Sequence, residues 1–356
     1  MDNNVLPAFE GPVCPVPLRH DETIVMGHGS GGKMTNDLVR QVFQKYFNNK
    51  FLSAGNDFAQ LTIPETPGRL SVSTDGHIVS PIFFPGGDIG KLAISGTVND
   101  MCMSGAKPLY ITASFILEEG LPIADLESIV ASMQATAEEA GVMVVAGDTK
   151  VVEKGKGDSI FISTTGIGWL PENTEIRGDL AQPGDIILVS GTIGDHGIAV
   201  LAARGDLGFE TDVQSDVSPL GSLIQEIIDV APQTHVLRDP TRGGLATTLN
   251  EIALQSKVGL LVYEESIPVQ PAVQAASDLL GFDPLYIANE GKLIVIIPAA
   301  DKEAVLDKMH LSRYGKNAVQ IGEVVTSHPG RVLMRTSIGT TRILDVMAGE
   351  MLPRIC

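Results

Sequence analysis

The sequence predicts a two-domain α/β (α+β) fold followed by a short flexible tail. Three observations carry that prediction. The chain has 356 residues, too many for one domain of ordinary size. Short apolar strand-like runs alternate with segments of helical spacing along most of it. One Pro- and Gly-rich stretch, 170–184, separates two such series and runs into Asp185 through Gln182-Pro183-Gly184.

The elements follow in order. Residues 1–22 read as a loose Pro-rich leader that is expected to be poorly ordered. The glycine segment 27–33 (GHGSGGK) leads into a helix over 35–47, where Leu38, Val39, Val42, Phe43, Tyr46 and Phe47 recur at helical spacing and Thr35 or Asn36 is placed to cap. A strand at 70–74, a helix at 88–104 and a strand at 109–117 come next. A helix over 123–140 is announced by Leu121-Pro122 and stopped by Gly141. Strands at 142–146 and 159–167 complete an N-terminal domain placed at 23–170.

The second domain, 181–346, begins with a strand at 185–190. Helices at 194–204, 219–229 and 242–256, a strand at 258–263, a helix at 270–280, a strand at 292–297 and a helix at 301–311 follow. Strands near 319–325, 331–335 and 341–346 end the series. The last ten residues, 347–356, can span at most ~35 Å when extended. That reach lets the terminal residue visit a site on another domain or subunit.

Composition narrows the function. The chain is 44% hydrophobic and 19% charged with 38 Gly and 21 Pro, the profile of a soluble globular protein rich in tight turns. A net charge of −18 and the lack of a basic patch argue against nucleic acid as a partner. Apolar runs such as 292–300 are far shorter than the ~20 residues that cross a bilayer, so no membrane partner is expected. The N-terminus lacks an apolar run of signal-peptide length, which makes the cytoplasm the expected compartment. Cys14, Cys102 and Cys356 are widely spaced with no Cys-x-x-Cys pair, against both a disulfide framework and a zinc site.

Several motifs suit phosphate chemistry. Gly27 to Lys33 nearly matches a P-loop, but Met34 stands where magnesium needs a hydroxyl, so that reading fails. A glycine segment carrying Lys33 can still cover a nucleotide, or be a plain mobile turn. Asp75, Asp100 (after Asn99) and Asp148 (in Gly147-Asp148-Thr149-Lys150) stand at strand ends or on an adjoining helix. Three converging carboxylates would hold magnesium, although each alone suits a cap or turn. Lys150 points the same way as Asp148 on an extended segment, placed for a transferring phosphate or simply for solvent. Asp239-Pro240-Thr241-Arg242-Gly243-Gly244 opens a helix whose N-terminus suits an anion. Glu290, in Asn289-Glu290-Gly291-Lys292, is either a base with a raised pKa or a buried structural carboxylate. Gly194-Asp195-His196-Gly197 is explained by a helix-starting turn and receives no role. Cys356 is a nucleophile on a mobile tip or an incidental terminal cysteine.

Taken together, His28-Gly29-Ser30-Gly31-Gly32, Ser73-Thr74-Asp75, Phe83 to Gly87, Ile89-Gly90-Lys91, Asn99-Asp100, Ile116 to Pro122, Gly147 to Val152, Gly194 to Gly197, Thr241 to Gly244, Ala288 to Leu293 and Pro353-Arg354-Ile355-Cys356 resemble the hydrogenase maturation factor HypE family. That family lies within the aminoimidazole ribonucleotide synthetase-like (PurM-like) superfamily, and the likeness covers most of the chain. It implies a homodimer in which N-terminal sheets pair and ATP binds near the interface. It implies that a HypF-type carbamoyltransferase loads Cys356 with a carbamoyl group, which ATP then helps dehydrate from thiocarbamate to thiocyanate. The cyanide would pass through a HypC/HypD-type iron scaffold to a [NiFe]-hydrogenase centre.

By this resemblance Glu290 is the base and Lys150 stabilises the phosphorylated intermediate. Asp75, Asp100 and Asp148 hold Mg2+, and Lys33, Asn99, Gly147 and Thr149 join the three aspartates around ATP. The leader is longer than the family fold needs, and Cys102 reads as core filler. Selenophosphate synthetase requires a reactive Cys or Sec in the glycine loop, which 27–33 lacks. A thiamine monophosphate kinase, or a non-catalytic carrier of Cys356, are the rival readings.

Overall fold

The computed structural model describes residues 22–205, 208, 211–347, 349, 352, 355 and 356. The expected leader, apart from Glu22, and residues 348, 350, 351, 353 and 354 of the expected tail lie outside the described residues.

The glycine segment forms a 3-10 turn at Met26–Gly29, with Gly29 so close to the backbone of Val151 that a Cβ would lie 2.8 Å from its nitrogen. The expected helix over 35–47 is broken into pieces. α1 (Lys33–Leu38) passes through a π-helical turn at Val39–Phe43 into α2 (Gln44–Tyr46), and α3 (Lys50–Ser53) follows. Gly32, not Thr35 or Asn36, takes the N-cap position.

Six strands and two longer helices build the rest of the first half. β1 (Gly68–His77) is followed by the hairpin β2 (Phe83–Phe84) and β3 (Gly87–Asp88), then α4 (Ile89–Cys102), β4 (Lys107–Glu118), α5 (Ile123–Ala140), β5 (Met143–Val152) and β6 (Ile160–Pro171). Asp88 caps α4 by accepting from the backbone N–H groups of Gly90 and Lys91 at 2.7 and 3.1 Å. Pro122 and Gly141 bound α5 as the sequence suggests, Gly141 in the left-handed region at φ 71°. β5 is twice as long as expected and takes Gly147 to Lys150 into the strand. The sheet order is β1-β6-β4-β5, antiparallel except for the parallel β4/β5 pair.

One face of this sheet packs on α4, and α4 is buried nearly all round because α5 closes over its other side. Among the described residues the opposite face carries no helix apart from α3 at its margin, where Phe51 meets Tyr110. Register places Leu70 and Val72 of β1 beside Trp169 and Ile167 of β6, with Tyr110 and Ile116 of β4 beyond them. Leu70 and Val72 are 55% and 63% exposed.

The second half contributes β7 (Asp185–Val189), α6 (Asp195–Ala203), α7 (Gly221–Val230), β8 (Val236–Arg238), α8 (Gly244–Ser256), β9 (Gly259–Tyr263), α9 (Pro271–Leu280), β10 (Ile294–Pro298), α10 (Lys302–Leu311), β11 (Val319–Val325), β12 (Val332–Arg335) and β13 (Thr341–Leu344). They form a seven-stranded sheet ordered β13-β12-β9-β11-β7-β10-β8, mostly antiparallel, with β12 and β9 parallel.

The central strands β7 and β10 are apolar along almost their whole length because both faces are covered. Ile187, Val189, Ile294 and Ile296 turn to a core under α8. Ile186, Leu188, Val295 and Ile297 join α7 and the α4 side of the first half in one continuous core. The two halves therefore share their largest apolar cluster. Among the described residues no helix is long and apolar enough to cross a membrane.

Candidate functional site

Where the first sheet meets the second half, four chain segments and the C-terminus enclose a cavity of about 130 Å³. β1 supplies Asp75 and His77, which share the α4 face of the sheet with Ser73. α4 supplies Asp100, and its Gly96 leaves room for them: a Cβ there would lie 3.1 Å from the His77 ring and 3.3 Å from Asp75 Oδ2. The loop after β8 supplies Asp239, Thr241 and Arg242, and the loop before β10 supplies Glu290. Cys356 completes the wall.

The electrostatics of this cavity are dominated by carboxylates placed too close together. Ser73 donates to Asp100 Oδ2 at 2.7 Å, yet burial, with Asp75 adding to it, raises the Asp100 pKa. Burial and the neighbouring Asp100 push Asp239 up to about 7. Glu290 lies well above the usual carboxylate range through burial, reinforced by Asp216, Asp239 and Asp75. The Cys356 thiol is pushed up by burial and by Glu290, against which it hydrogen-bonds, with Arg242 opposing. Glu290 Oε1 is buried with no hydrogen-bond partner. His77 is held neutral by burial, its Nε2 3.1 Å from Thr164 Oγ1 and 3.8 Å from Asp75 Oδ2.

The Asn289-Glu290-Gly291 turn is built to present one side chain. Asn289 donates to the carbonyls of Pro240 and Ile287 and accepts from Gly194 N–H at 2.7 Å. Asp216 accepts from the backbone N–H groups of Glu290 and Gly291 at 3.1 and 3.2 Å. At Gly291 a Cβ would lie 1.8 Å from the Asp216 carbonyl oxygen, so only glycine fits. Asn and Gly shape the backbone, and Glu290 alone faces the cavity.

The remaining expected residues fall elsewhere. Asn99 is buried and structural: it donates to the Ser218 and Glu290 carbonyls and accepts from Leu220 N–H at 2.8 Å. Lys33 is exposed at the start of α1. Asp148 pairs in register with Ser114, Ser163 and then Gly76, three strands and about 14 Å away at the usual strand spacing. It also lies on the open face, whereas Asp75 lies on the α4 face. Lys150 is one pleat further along and ion-paired to Asp148 at 2.7 Å, which holds the Asp148 pKa below the usual carboxylate range. Within one chain the three aspartates therefore do not converge. Gly147, Asp148 and Thr149 instead line a second cavity of about 230 Å³ with Phe43, Phe47 and Phe115. Cys102 is core, as expected, its thiol pushed up to about 12 by burial.

His77, Asp239 and Arg242 were not singled out as cavity residues from sequence. His77 follows Ser73-Thr74-Asp75-Gly76 by one position, and the other two belong to the Asp239–Gly244 motif, so position beside a marked motif was the available signal. The hard oxygens of Asp75, Asp100 and Asp239 suit magnesium, and their mutual repulsion is what a divalent cation relieves. No preformed cage of three such ligands occurs among the described residues. That is compatible with an ion held by one or two carboxylates and completed by water and phosphate oxygens.

Comparison with known proteins agrees with this architecture. Residues 55–170 match the AIR synthase related protein N-terminal domain and residues 182–335 its C-terminal domain. The carbamoyl dehydratase HypE of Cupriavidus necator is 54% identical over 94% of this chain and 95% of its own. A crystal structure of the hydrogenase maturation protein HypE in complex with ATP superposes with TM-score 0.90 at 47% identity, covering 94% of this chain and all of that one. The structure of a HypE–HypF complex matches with TM-score 0.76 at 50% identity, covering 87% and 99%. With Cys356 seated beside Glu290 and likeness of this extent, the chain belongs to the HypE family of carbamoyl dehydratases.

Proposed function

We propose that the enzyme dehydrates a carbamoyl group carried on Cys356 as a thiocarbamate, using ATP, and so forms a thiocyanate. The observation that carries this reading is the seat of the Cys356 thiol against the buried carboxylate of Glu290, whose Oε1 has no hydrogen-bond partner. An amide oxygen is a poor leaving group. Transfer of the γ-phosphoryl group of ATP to that oxygen releases ADP and one proton, and departure of phosphate with the last N–H proton leaves the nitrile. Glu290 is the base: a carboxylate raised above its usual range accepts a proton more readily at neutral pH. Arg242 faces the phosphorylated oxygen's developing charge from the cavity wall.

ATP is the expected nucleotide because a HypE relative 47% identical to this chain was crystallised with it. Asp75 and Asp100, with Asp239, are the residues that would hold Mg2+, which when bound neutralises phosphate charge. A HypF-type protein is the proposed source of the carbamoyl group, in keeping with the HypE–HypF complex, and a HypC/HypD-type scaffold the proposed acceptor of cyanide. The open apolar face of the first sheet supports a homodimer paired through it. Asp148 and Lys150 stand on that face, so their proposed roles toward ATP are exercised across the pair. The working units are read as 23–170 and 181–346, with 347–356 as the arm.

The test is to incubate the carbamoylated full-length protein with ATP and magnesium and weigh it intact. Loss of one water from the C-terminal peptide is expected; a fully loaded, folded protein whose mass does not change would refute the proposal.

A further inference from the structure

We infer that His196 is a positioning residue that latches the C-terminal arm, holding Cys356 in register by a hydrogen bond to the backbone one residue before it. This deepens the reading of Cys356 as the bearer of the substrate and rests on it.

His196 stands on the first turn of α6 and is wholly buried, yet both ring nitrogens have polar partners. Nδ1 lies 2.8 Å from Ser215 Oγ, and Nε2 lies 2.8 Å from the carbonyl oxygen of Ile355. The tautomer follows from the partners. Ser215 Oγ accepts from Val217 N–H at 3.1 Å, so its own hydrogen is free for the ring, and Nδ1 accepts it. Nε2 then carries the ring hydrogen and donates to the Ile355 carbonyl, which can only accept. Burial lowers the imidazole pKa and keeps this neutral form. The Phe84 ring meets the imidazole edge-on, centroids 5.5 Å apart at 90°, and fixes its plane.

The latch is anchored in the first half of the chain. Ser215 N–H donates to the Pro85 carbonyl at 2.8 Å, tying it to the β2–β3 hairpin. Beside His196, Gly197 leaves clearance: a Cβ there would lie 3.4 Å from Leu352 of the arm and 2.4 Å from Ile287. The contact is made to main chain, so it does not depend on what Cys356 carries. A slip of one residue would carry the Cys356 sulfur about 3.3 Å along its path, beyond contact with Glu290.

The experiment reads arm seating directly, by the rate of iodoacetamide alkylation of Cys356 in the native full-length protein, followed on the C-terminal peptide by mass spectrometry. His196→Leu keeps bulk and removes the donor, and alkylation should accelerate about tenfold, the effect of one buried hydrogen bond. His196→Gln, whose amide N–H can reach the same carbonyl, should restore most of the protection. Single-turnover dehydration of the carbamoylated protein should fall by a similar factor in His196→Leu with the KM for ATP unchanged. Unchanged alkylation in folded His196→Leu, or a Gln variant as reactive as the Leu variant, overturns the latch. If His196→Leu does not fold, removal of Ile355 and Cys356 from the wild type provides the reading: the ¹⁵N resonance of His196 Nε2 should shift, and an unmoved resonance overturns the inference. Alkylation requires neither ATP nor a carbamoyl group, so accelerated alkylation in a protein that never loses water would uphold the latch while refuting the dehydratase reading.

Discussion

Replacing Asp239 by Asn should make the protein more stable while impairing it. Asp239 is partly buried among Asp75, Asp100 and Glu290, and its pKa moves from an ordinary 3.8 to about 7. The folded chain therefore holds a proton that the unfolded chain has lost between those limits. Stability attributable to this site is highest near pH 4 and falls as pH rises to 7. Three units at about 1.4 kcal/mol each set an upper bound of about 4 kcal/mol. Spread over an unfolding entropy of about 2 cal/mol/K per residue, that is a Tm increase of up to roughly 5 °C in Asp239→Asn. The assay is thermal unfolding of both proteins from pH 4 to pH 8. The variant's advantage should be small near pH 4 and complete above pH 7, with ATP-dependent dehydration reduced at every pH. Equal or lower Tm at pH 8 would refute the reasoning, because the cavity would then contain no uncompensated carboxylate.

Three other substitutions separate the roles of neighbouring residues. Glu290→Gln should accept the carbamoyl group normally and lose water roughly 10²–10⁴-fold more slowly in single turnover, the usual effect of removing a general base; a loss under tenfold would exclude it from that role. Asn99→Ala should cost about 2–4 kcal/mol in denaturant unfolding, because the 218–220 segment loses its hydrogen bonds, while the Kd for ATP stays within about twofold. A large loss of ATP affinity at unchanged stability would instead restore Asn99 as a nucleotide ligand. Val72→Asp, on the open face, should leave monomer stability within about 0.5 kcal/mol and abolish association in sedimentation; an unchanged oligomeric state would move the pairing surface elsewhere.

Local chemistry was legible in the sequence and long-range geometry was not. Pro122 and Gly141 mark the ends of α5 because capping is decided within a few residues. The burial of Glu290 was legible because a carboxylate beside a glycine and an apolar strand is headed for the interior. The face on which Asp148 lies is a different matter. It depends on β5 continuing through Gly147 to Lys150, and on three strand pairings that span 68–171, none of which leaves a trace at Asp148 itself. His196 was explained away as part of a turn for the same reason: its partner is Ile355, 159 residues later. The linker at 170–184 suggested two domains, and what it could not show is that alternate residues of β7 and β10 turn toward the first half and join its core. A period-2 pattern shows that a strand has two faces, and not what each will meet.

The open face of the first sheet also contains an instrument. Trp169 is the sole tryptophan of the sequence, and it lies beside Leu70 over Gly68, where a Cβ would strike the indole at 2.6 Å. Its Nε1–H is buried without a partner, an uncommon condition for an indole. Every photon of tryptophan emission from this protein therefore originates at one surface. Dilution series, titrations with a carbamoyl-transferring partner and stopped-flow mixing can all be followed there without a label, free of background from any second indole.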